Sequence, residues 1–169
     1  MIERLSLRSS IDFYNFVLLH RDIFNDFYIT ENNSRIMINQ LSLIEKILKT
    51  QDCYGKFDKG LKALCIIFRQ KPFRTYLKIS GNKKDCGDLL RLIRWTFAKS
   101  ELYCKVKKNN PLLEVLKYNG FFPIGDRGSE ILLVKKKFVP LRKLIPKDIN
   151  DLGEEDGNHN RKNKKSYKR

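Results

Sequence analysis

The sequence predicts an α+β domain in which helices flank a mixed, mostly antiparallel, twisted sheet, and a basic C-terminal tail follows it. The apolar period changes repeatedly along the chain between the spacing of helices and that of strands. The length of 169 residues allows one domain of ordinary size plus a tail. Hydrophobic residues make up 41%, which excludes a disordered polycation despite the formal charge of +16.

The N-terminal region predicts a short strand and two helices. Apolar and polar residues alternate around residues 5–7, as in a half-buried strand. Ser9 and Asp12 have the spacing of a capping box, so a helix is expected to begin at the next residue, Ser10, and to run to about Phe27. A second helical pattern covers residues 37–48.

An antiparallel meander of three strands is expected next. Apolar or alternating runs cover residues 53–57, 63–68 and 74–79. Turn signals separate them at Gly60 and at Lys71-Pro72. These strands should form the centre of the sheet.

A helix and a strand follow the meander. Asp85 can cap a helix that presents an apolar face and ends near Ser100. Residues 102–107 then alternate between apolar and polar side chains, which predicts another strand.

The domain should close with a short helix and a hairpin. Asn110-Pro111 is a typical helix start and Gly120 a typical stop. The hairpin covers residues 121–134, with its turn at residues 125–128.

The cysteines and the termini bear on the compartment. Cys53, Cys65, Cys86 and Cys104 contain no C-x-x-C pair, so we expect reduced core thiols and no metal site. The sequence has neither a long apolar run nor a secretory signal. We therefore expect a cytoplasmic protein with no membrane partner.

The positive charge is concentrated in residues 56–108 and after Val134. Tyr103 shares a strand face with lysines, a combination that can stack a base and neutralise phosphate, although a half-exposed strand face is the favoured explanation. The basic end of the chain is either a solvated tail or an arm that contacts nucleic acid or an acidic protein surface. The candidate contact residues are Lys105, Lys107, Lys108, Lys135, Lys136, Lys137, Arg161, Lys162, Lys164, Lys165, Lys168 and Arg169.

The order of elements resembles the fold of the GCN5-related N-acetyltransferases (GNAT). The most specific piece is the last-helix pattern, in which Asn109, Leu112 and Gly120-Phe121 keep the family's spacing. The resemblance implies a GNAT-like domain over residues 1–137 and a tail over residues 138–169.

In that family acyl-CoA pairs with the splayed fourth strand, and its pyrophosphate lies on backbone amides before the next helix. The resemblance implies that acetyl-CoA, if it binds, contacts Leu77, Ile79, Asn82, Lys83, Lys84, Gly87 and Asn109. The pyrophosphate loop departs from the family pattern, because Asp85 replaces a glycine. The sequence alone therefore predicts no cofactor.

The catalytic groups that are usual in the family are also missing. The fourth strand, residues 74–80, contains no glutamate, and Leu116 occupies the position of the last-helix tyrosine. Tyr118 lies about 200° further around the helix and cannot replace it without a register shift. No catalytic and no metal-binding residue is assigned.

The sequence accordingly favours a non-catalytic, GNAT-like structural or binding protein. Its helix pattern is similar to that of small internal virion proteins of tailed phages, which implies contacts with nucleic acid or other virion proteins and a place in the virion. The alternative is an acyl-CoA-dependent N-acetyltransferase with atypical catalytic residues, which positioning alone can support. A nucleic-acid-binding component of a large ribonucleoprotein is a third hypothesis.

Overall fold

The computed structural model describes residues 1–25, 27–31, 33–70 and 74–138. Within them the helices are α1 (Ser10–Leu19), α2 (Arg21–Phe24), α3 (Leu41–Thr50), α4 (Lys83–Thr96) and α5 (Leu113–Tyr118). The predicted turn at Lys71-Pro72 and the tail beyond residue 138 lie outside the described residues. No helix in the described part combines the length and the apolar character needed to cross a membrane.

The strands form one large sheet and a separate hairpin. They are β1 (Ile2–Arg4), β2 (Tyr28–Glu31), β3 (Ser34–Met37), β4 (Asp52–Phe57), β5 (Leu61–Gln70), β6 (Arg74–Gly81), β7 (Leu102–Lys107), β8 (Phe122–Arg127) and β9 (Glu130–Lys135). The sheet order is β1-β4-β5-β6-β7-β9-β8, and β2 pairs with β3. Only the β6–β7 pair is parallel among the described strand pairs. The predicted α+β class with a mostly antiparallel sheet is confirmed.

Each face of the sheet buries an apolar core. Alternate residues of β5, β6 and β7, including Leu77 and Cys104, pack against α4 and α5. The other face, including Ile66 and Tyr76, packs against α1, α3 and the β2–β3 hairpin. The strand period of two thus divides the side chains between two cores.

The cysteines lie in these cores as free thiols. Burial raises the pKa of Cys53, Cys86 and Cys104 to about 12 each and that of Cys65 well above its ordinary value. Burial disfavours the charged thiolate, so these side chains behave as small apolar groups. Their predicted place in the core is confirmed.

The N-terminal region differs from the prediction in three ways. Strand β1 ends at Arg4, and Leu7–Ser9 forms a 3₁₀ turn instead of continuing a strand. Helix α1 does begin at Ser10, but the Ser9 side chain makes no capping hydrogen bond. Ser9 has φ −92° and ψ 6°, whereas a capping residue needs extended backbone. A break at His20 then separates α1 from α2.

The β2–β3 hairpin was not predicted from the sequence. Buried Ile29 and Ile36 face each other across it, and Asn33 adopts φ 63° beside the turn. Met37 ends β3, and the helix predicted from residue 37 begins only at Leu41. The apolar spacing after residue 36 fits a helix as well as a strand end, so periodicity alone placed the boundary too early.

The closing hairpin has its turn later than predicted. Gly125 and Asp126 pair within the β8–β9 ladder, which a bulge interrupts between Pro123 and Gly125. The chain reverses after Arg127, where Gly128 has φ +61°. A positive φ suits glycine, so Gly128 marks the turn.

Gly81 ends β6 in a conformation that few other residues can adopt. Its φ is +138°, and an added Cβ would lie 2.7 Å from the carbonyl oxygen of Lys62. Gly60 has φ +120° and open space around the same position. Alanine substitutions at the two positions therefore distinguish the effect of backbone strain from that of steric overlap.

We expect Gly81→Ala to destabilise the protein more than Gly60→Ala. Both variants incur a backbone strain of about 1–3 kcal/mol, and only the first adds the overlap with Lys62, so the difference should be about 2 kcal/mol. Urea denaturation of both variants measures it. Equal losses would contradict the close approach of β5 and β6 at this point.

Candidate active site

The parallel strands β6 and β7 separate soon after they meet. They share one ladder position in the described part, Tyr76 opposite Tyr103. By contrast, the β5–β6 ladder is continuous from Ala63 opposite Gly81 to Gln70 opposite Arg74. The edge of β6 after Tyr76 is therefore not paired with β7, and its backbone groups are open to a further hydrogen-bonding partner.

A cleft of about 340 Å³ lies across this opening, on the sheet face that carries α1 and α3. We call it the β6–β7 cleft. It is lined by Asp22, Ile23, Phe27, Tyr28, Phe68, Gln70, Tyr76, Leu77, Lys78, Lys105, Lys107 and Glu130. Lysines reach it because their apolar neighbours on β6 and β7 turn to the α4 core.

Lys78 is the most unusual residue of the β6–β7 cleft. Its Nζ lies 5.6 Å from the ring centroid of Phe27 and 6.0 Å from that of Phe24. Burial lowers the pKa of Lys78. Among the described residues no oxygen lies within hydrogen-bond or ion-pair distance of its ammonium group.

Two further lysines and a carboxylate flank Lys78. The Nζ of Lys105 lies 5.4 Å from the ring centroid of Tyr76. Lys107 is opposite Glu130 in the β7–β9 ladder. Lys105 and Lys107, which the sequence proposed as nucleic-acid contacts, thus line this cleft. Contact with nucleic acid stays a prediction.

The N-terminus of α4 lies directly after β6, and its capping differs from the prediction. Asn82, not Asp85, is the cap, because the Asp85 backbone N–H donates to Asn82 Oδ1 at 2.9 Å. The Asp85 carboxylate instead pairs with Lys56 Nζ of β4 at 2.8 Å. Lys56 also pairs with Asp88. Asp85 is therefore neutralised within the protein.

These ion pairs shift the titration of all three groups. The hydrogen bond from Lys56 lowers the pKa of Asp85 and of Asp88. The hydrogen bonds to Asp85 and Asp88 in turn raise the pKa of Lys56. The charged forms favour one another, so the cluster stays ionised at neutral pH.

The remaining residues predicted to contact acetyl-CoA lie at the start of α4, on β6 and near α5. The backbone N–H groups of Lys83 and Lys84 begin α4 and have no acceptor among the described residues, and both side chains are exposed. Leu77 and Ile79 are buried on β6, so only their backbone faces the opening. Gly87 faces Val115 of α5, and Asn109 is exposed in the turn before α5.

The last helix keeps its leucine and its tyrosine on different faces. Leu116 is fully buried, whereas Tyr118 is 87% exposed. Tyr118 lines a groove of about 510 Å³ between α4 and α5, together with Arg91 and Lys117. Tyr118 therefore does not occupy the place that a tyrosine at position 116 would have, as the sequence predicted.

The lysines that follow β7 do not form one basic surface. Lys135 was predicted to contact a polyanion, but it is 5% exposed. Its Nζ donates at 3.1 Å to the carbonyl oxygens of Phe97 and Ser100, at the end of α4. Carbonyls at a helix C-terminus need such donors, so Lys135 is part of the fold and is not free to bind a partner.

The other predicted contact lysines near the end of the domain, Lys108, Lys136 and Lys137, are exposed. Lys108 pairs with Asp126 at 2.7 Å and Lys136 with Glu101 at 3.1 Å. The predicted tail contacts Arg161, Lys162, Lys164, Lys165, Lys168 and Arg169 lie outside the described residues.

Lys78, Glu130 and Asp22 were not predicted from the sequence as site residues. Lys78 was part of a polar strand face, and nothing local showed that α2 covers this face. Glu130 lies far along the chain from β6 and joins the site only through β9. The signal for Lys78 was the alternation of apolar and polar residues along β6. This alternation places Lys78 on the sheet face that Leu77 and Ile79 do not share.

No protein-family model matches the chain, and no curated protein matches it by sequence. Solved structures do match. An N-acetyltransferase from Staphylococcus aureus Mu50 has a TM-score of 0.62 at 16% identity, over 80% of this chain and 96% of that one. PaiA N-acetyltransferase from Thermoplasma acidophilum, in complex with coenzyme A, gives 0.57 at 16%, over 80% and 98%. N-acetyltransferase PseH from Campylobacter jejuni, in complex with acetyl coenzyme A, gives 0.53 at 12%, over 82% and 100%.

These similarities establish the GNAT fold and correct the functional prediction. The prediction of a non-catalytic phage virion protein is wrong, because the structures named above are N-acetyltransferases and two of them hold coenzyme A or its acetyl form. The resemblance to phage proteins and the expectation of no cofactor have no support among them.

We expect the Lys56 cluster to make stability depend on acidic pH. A carboxyl whose pKa is lowered by folding contributes stability above its ordinary pKa of 3.8, and that stability is lost as the pH falls through the lowered value. Lys56→Met should therefore flatten the decline of stability below about pH 4, the ordinary range of aspartate.

Urea denaturation across acidic pH measures this effect. Lys62→Met, at an exposed position of β5, is the matched control and should keep the wild-type slope. If both variants show the wild-type decline, Lys56 does not hold Asp85 and Asp88 ionised.

Proposed function

We propose that the protein is an acyl-CoA-dependent N-acetyltransferase. The observation that carries this proposal is the opening between β6 and β7, which leads directly to the unpaired amides that begin α4. The fold shared with N-acetyltransferases supports the same conclusion.

The residues around the opening fit a thioester with a diphosphate-containing carrier. The unpaired edge of β6 offers backbone hydrogen bonds to an extended chain. The amides and side chains of Lys83 and Lys84 offer an anion site at the positive end of α4. Asp85 does not repel an anion as a free carboxylate would, because Lys56 neutralises it.

An orphaned polar atom points to the same strand. Ser80 Oγ on β6 is buried and has no hydrogen-bond partner among the described residues. A buried hydroxyl without a partner is costly and is explained when a bound molecule supplies one. Ser80 lies between Leu77 and Asn82, within the segment proposed to hold acetyl-CoA.

Acetyl-CoA, when bound, would supply the acetyl group to an amine nitrogen. The C–N bond forms as the thioester C–S bond breaks, the amine loses one proton, and the leaving thiolate takes one up. Glu130 and Asp22 line the β6–β7 cleft and are the carboxylates that can accept the amine proton there, directly or through water. The cysteines are buried with raised pKa values, which favours direct transfer over a cysteine relay.

The site has no glutamate on β6 and no tyrosine at position 116, so positioning must supply much of the rate. Fixing an amine against a thioester replaces a bimolecular encounter with an oriented one, which accounts for a large share of acceleration in such reactions. The open strand edge and the α4 amides would do this from one side, and the β6–β7 cleft from the other.

We expect the Lys83 amide to contribute to acetyl-CoA affinity. Lys83→Pro removes that N–H, and proline is tolerated at the first position of a helix. Asn82 before it has ψ 162°, which also suits proline. Lys83→Ala removes the same side chain and keeps the amide. The proline variant should bind acetyl-CoA about tenfold more weakly than the alanine variant, the usual effect of one hydrogen bond to a charged group.

Isothermal titration calorimetry at moderate salt measures both affinities, with a polyanion as the control for charge attraction alone. Wild-type binding no stronger than that of the polyanion would overturn the proposed function. Equal binding by the proline and alanine variants would remove the Lys83 amide from the site.

A further inference from the structure

We propose that the acceptor is a small amine that also carries an anionic group, a carboxylate or a phosphate, which Lys78 and Lys105 bind in the β6–β7 cleft. The transfer step rests on the proposed function above. The anion site rests on the geometry of the cleft and can be tested without acetyl-CoA.

The Lys78 ammonium group is the first cation to which we assign the anion. It lies over the rings of Phe27 and Phe24 and, among the residues that the structure describes, has no oxygen partner. Contact with ring faces offsets part of the loss of water, because the faces are electron-rich. An incoming anion would supply the partner that a partly buried charge lacks.

The unpaired lysines of the β6–β7 cleft differ from several lysines elsewhere in the described part. Lys105 lies over the ring of Tyr76 and has no ion pair among the described residues. Outside the cleft several lysines are paired: Lys56 with Asp85, Lys108 with Asp126, Lys117 with Glu114, and Lys136 with Glu101. The unpaired cations of the β6–β7 cleft therefore leave capacity for an anion from outside the chain.

The β6–β7 cleft carries both positive and negative side chains. Asp22 and Glu130 line it together with Lys78, Lys105 and Lys107. Carboxylates suit the ammonium end of an acceptor, and lysines suit an acid on the same molecule. An amine without an acid would leave Lys78 and Lys105 unpaired.

The volume of the β6–β7 cleft limits the size of the acceptor. The volume of about 340 Å³ is at the lower end of the range for small-molecule sites. The aromatic side chains of Phe27, Tyr28 and Tyr76 are among those that line it. A compact molecule with its amine and acid a few bonds apart fits this space.

Two pairs of probes test the proposal in the absence of acetyl-CoA. One compares γ-aminobutyrate with its primary amide, and the other compares O-phosphoethanolamine with ethanolamine. NMR chemical-shift titration gives the dissociation constant of each. In at least one pair, the probe with the acid group should bind about tenfold more tightly than the probe without it, the usual effect of a charge-assisted hydrogen bond. The pair that shows the preference identifies carboxylate or phosphate as the acid.

Variants assign the preference to the cleft. Lys78→Gln and Lys105→Gln should each abolish most of it, whereas Lys49→Gln, at an exposed site on α3, should retain it. Lys78→Gln removes an unpaired, partly buried charge, so it should fold at least as stably as the wild type. If the wild type binds the probes with and without the acid group equally, or if the preference survives in both cleft variants, the proposal is overturned.

The same probes separate this inference from the proposed function. If the anion preference is present and depends on Lys78, the site stands even if acetyl-CoA does not bind. If acetyl-CoA binds and the preference is absent, the transferase proposal stands and the acceptor proposal fails.

Discussion

The separation of β6 from β7 is the constraint on which the site depends. The strands run parallel, are joined through α4, and meet only at Tyr76 and Tyr103 in the described ladder. Backbone groups beyond that point need other partners, because buried unpaired amides and carbonyls are costly. The same divergence leaves room for the β6–β7 cleft and brings the start of α4 beside it. One feature of strand pairing thus leaves an open strand edge beside the start of α4, where the proposed anion site lies.

The sequence predicted the elements whose signals are local. The strands β4, β5 and β7 and the apolar face of α4 follow from period and turn residues, and the structure has them. The β2–β3 hairpin was missed because its apolar residues, Ile29 and Ile36, also fit other periods. The Asp85–Lys56 pair joins residues on different elements, and no local pattern specifies such a contact. Capping by Asn82 was obscured by Asp85, since both residue types are good caps.

The functional prediction was wrong for a related reason. It treated the missing glutamate of the fourth strand and the missing tyrosine as a loss of chemistry. Carboxylates can reach a cleft from any element around it, and here Asp22 on α2 and Glu130 on β9 do so. Likewise, the sequence predicted that Asp85 would repel an anion, because its partner, Lys56, is on β4, far from α4 along the chain. Motif position is a weaker guide than the set of side chains that the fold brings together.

The outer strand β8 bears on how the protein behaves at high concentration. All six of its residues are exposed, and they include the apolar Phe122 and Ile124. Such an edge is ordinarily a template on which another chain adds a strand and begins to aggregate. Pro123 has no N–H to donate, and the bulge between Pro123 and Gly125 breaks the regular row of donors and acceptors. The proline and the bulge therefore make this edge a poor template for a strand of another chain.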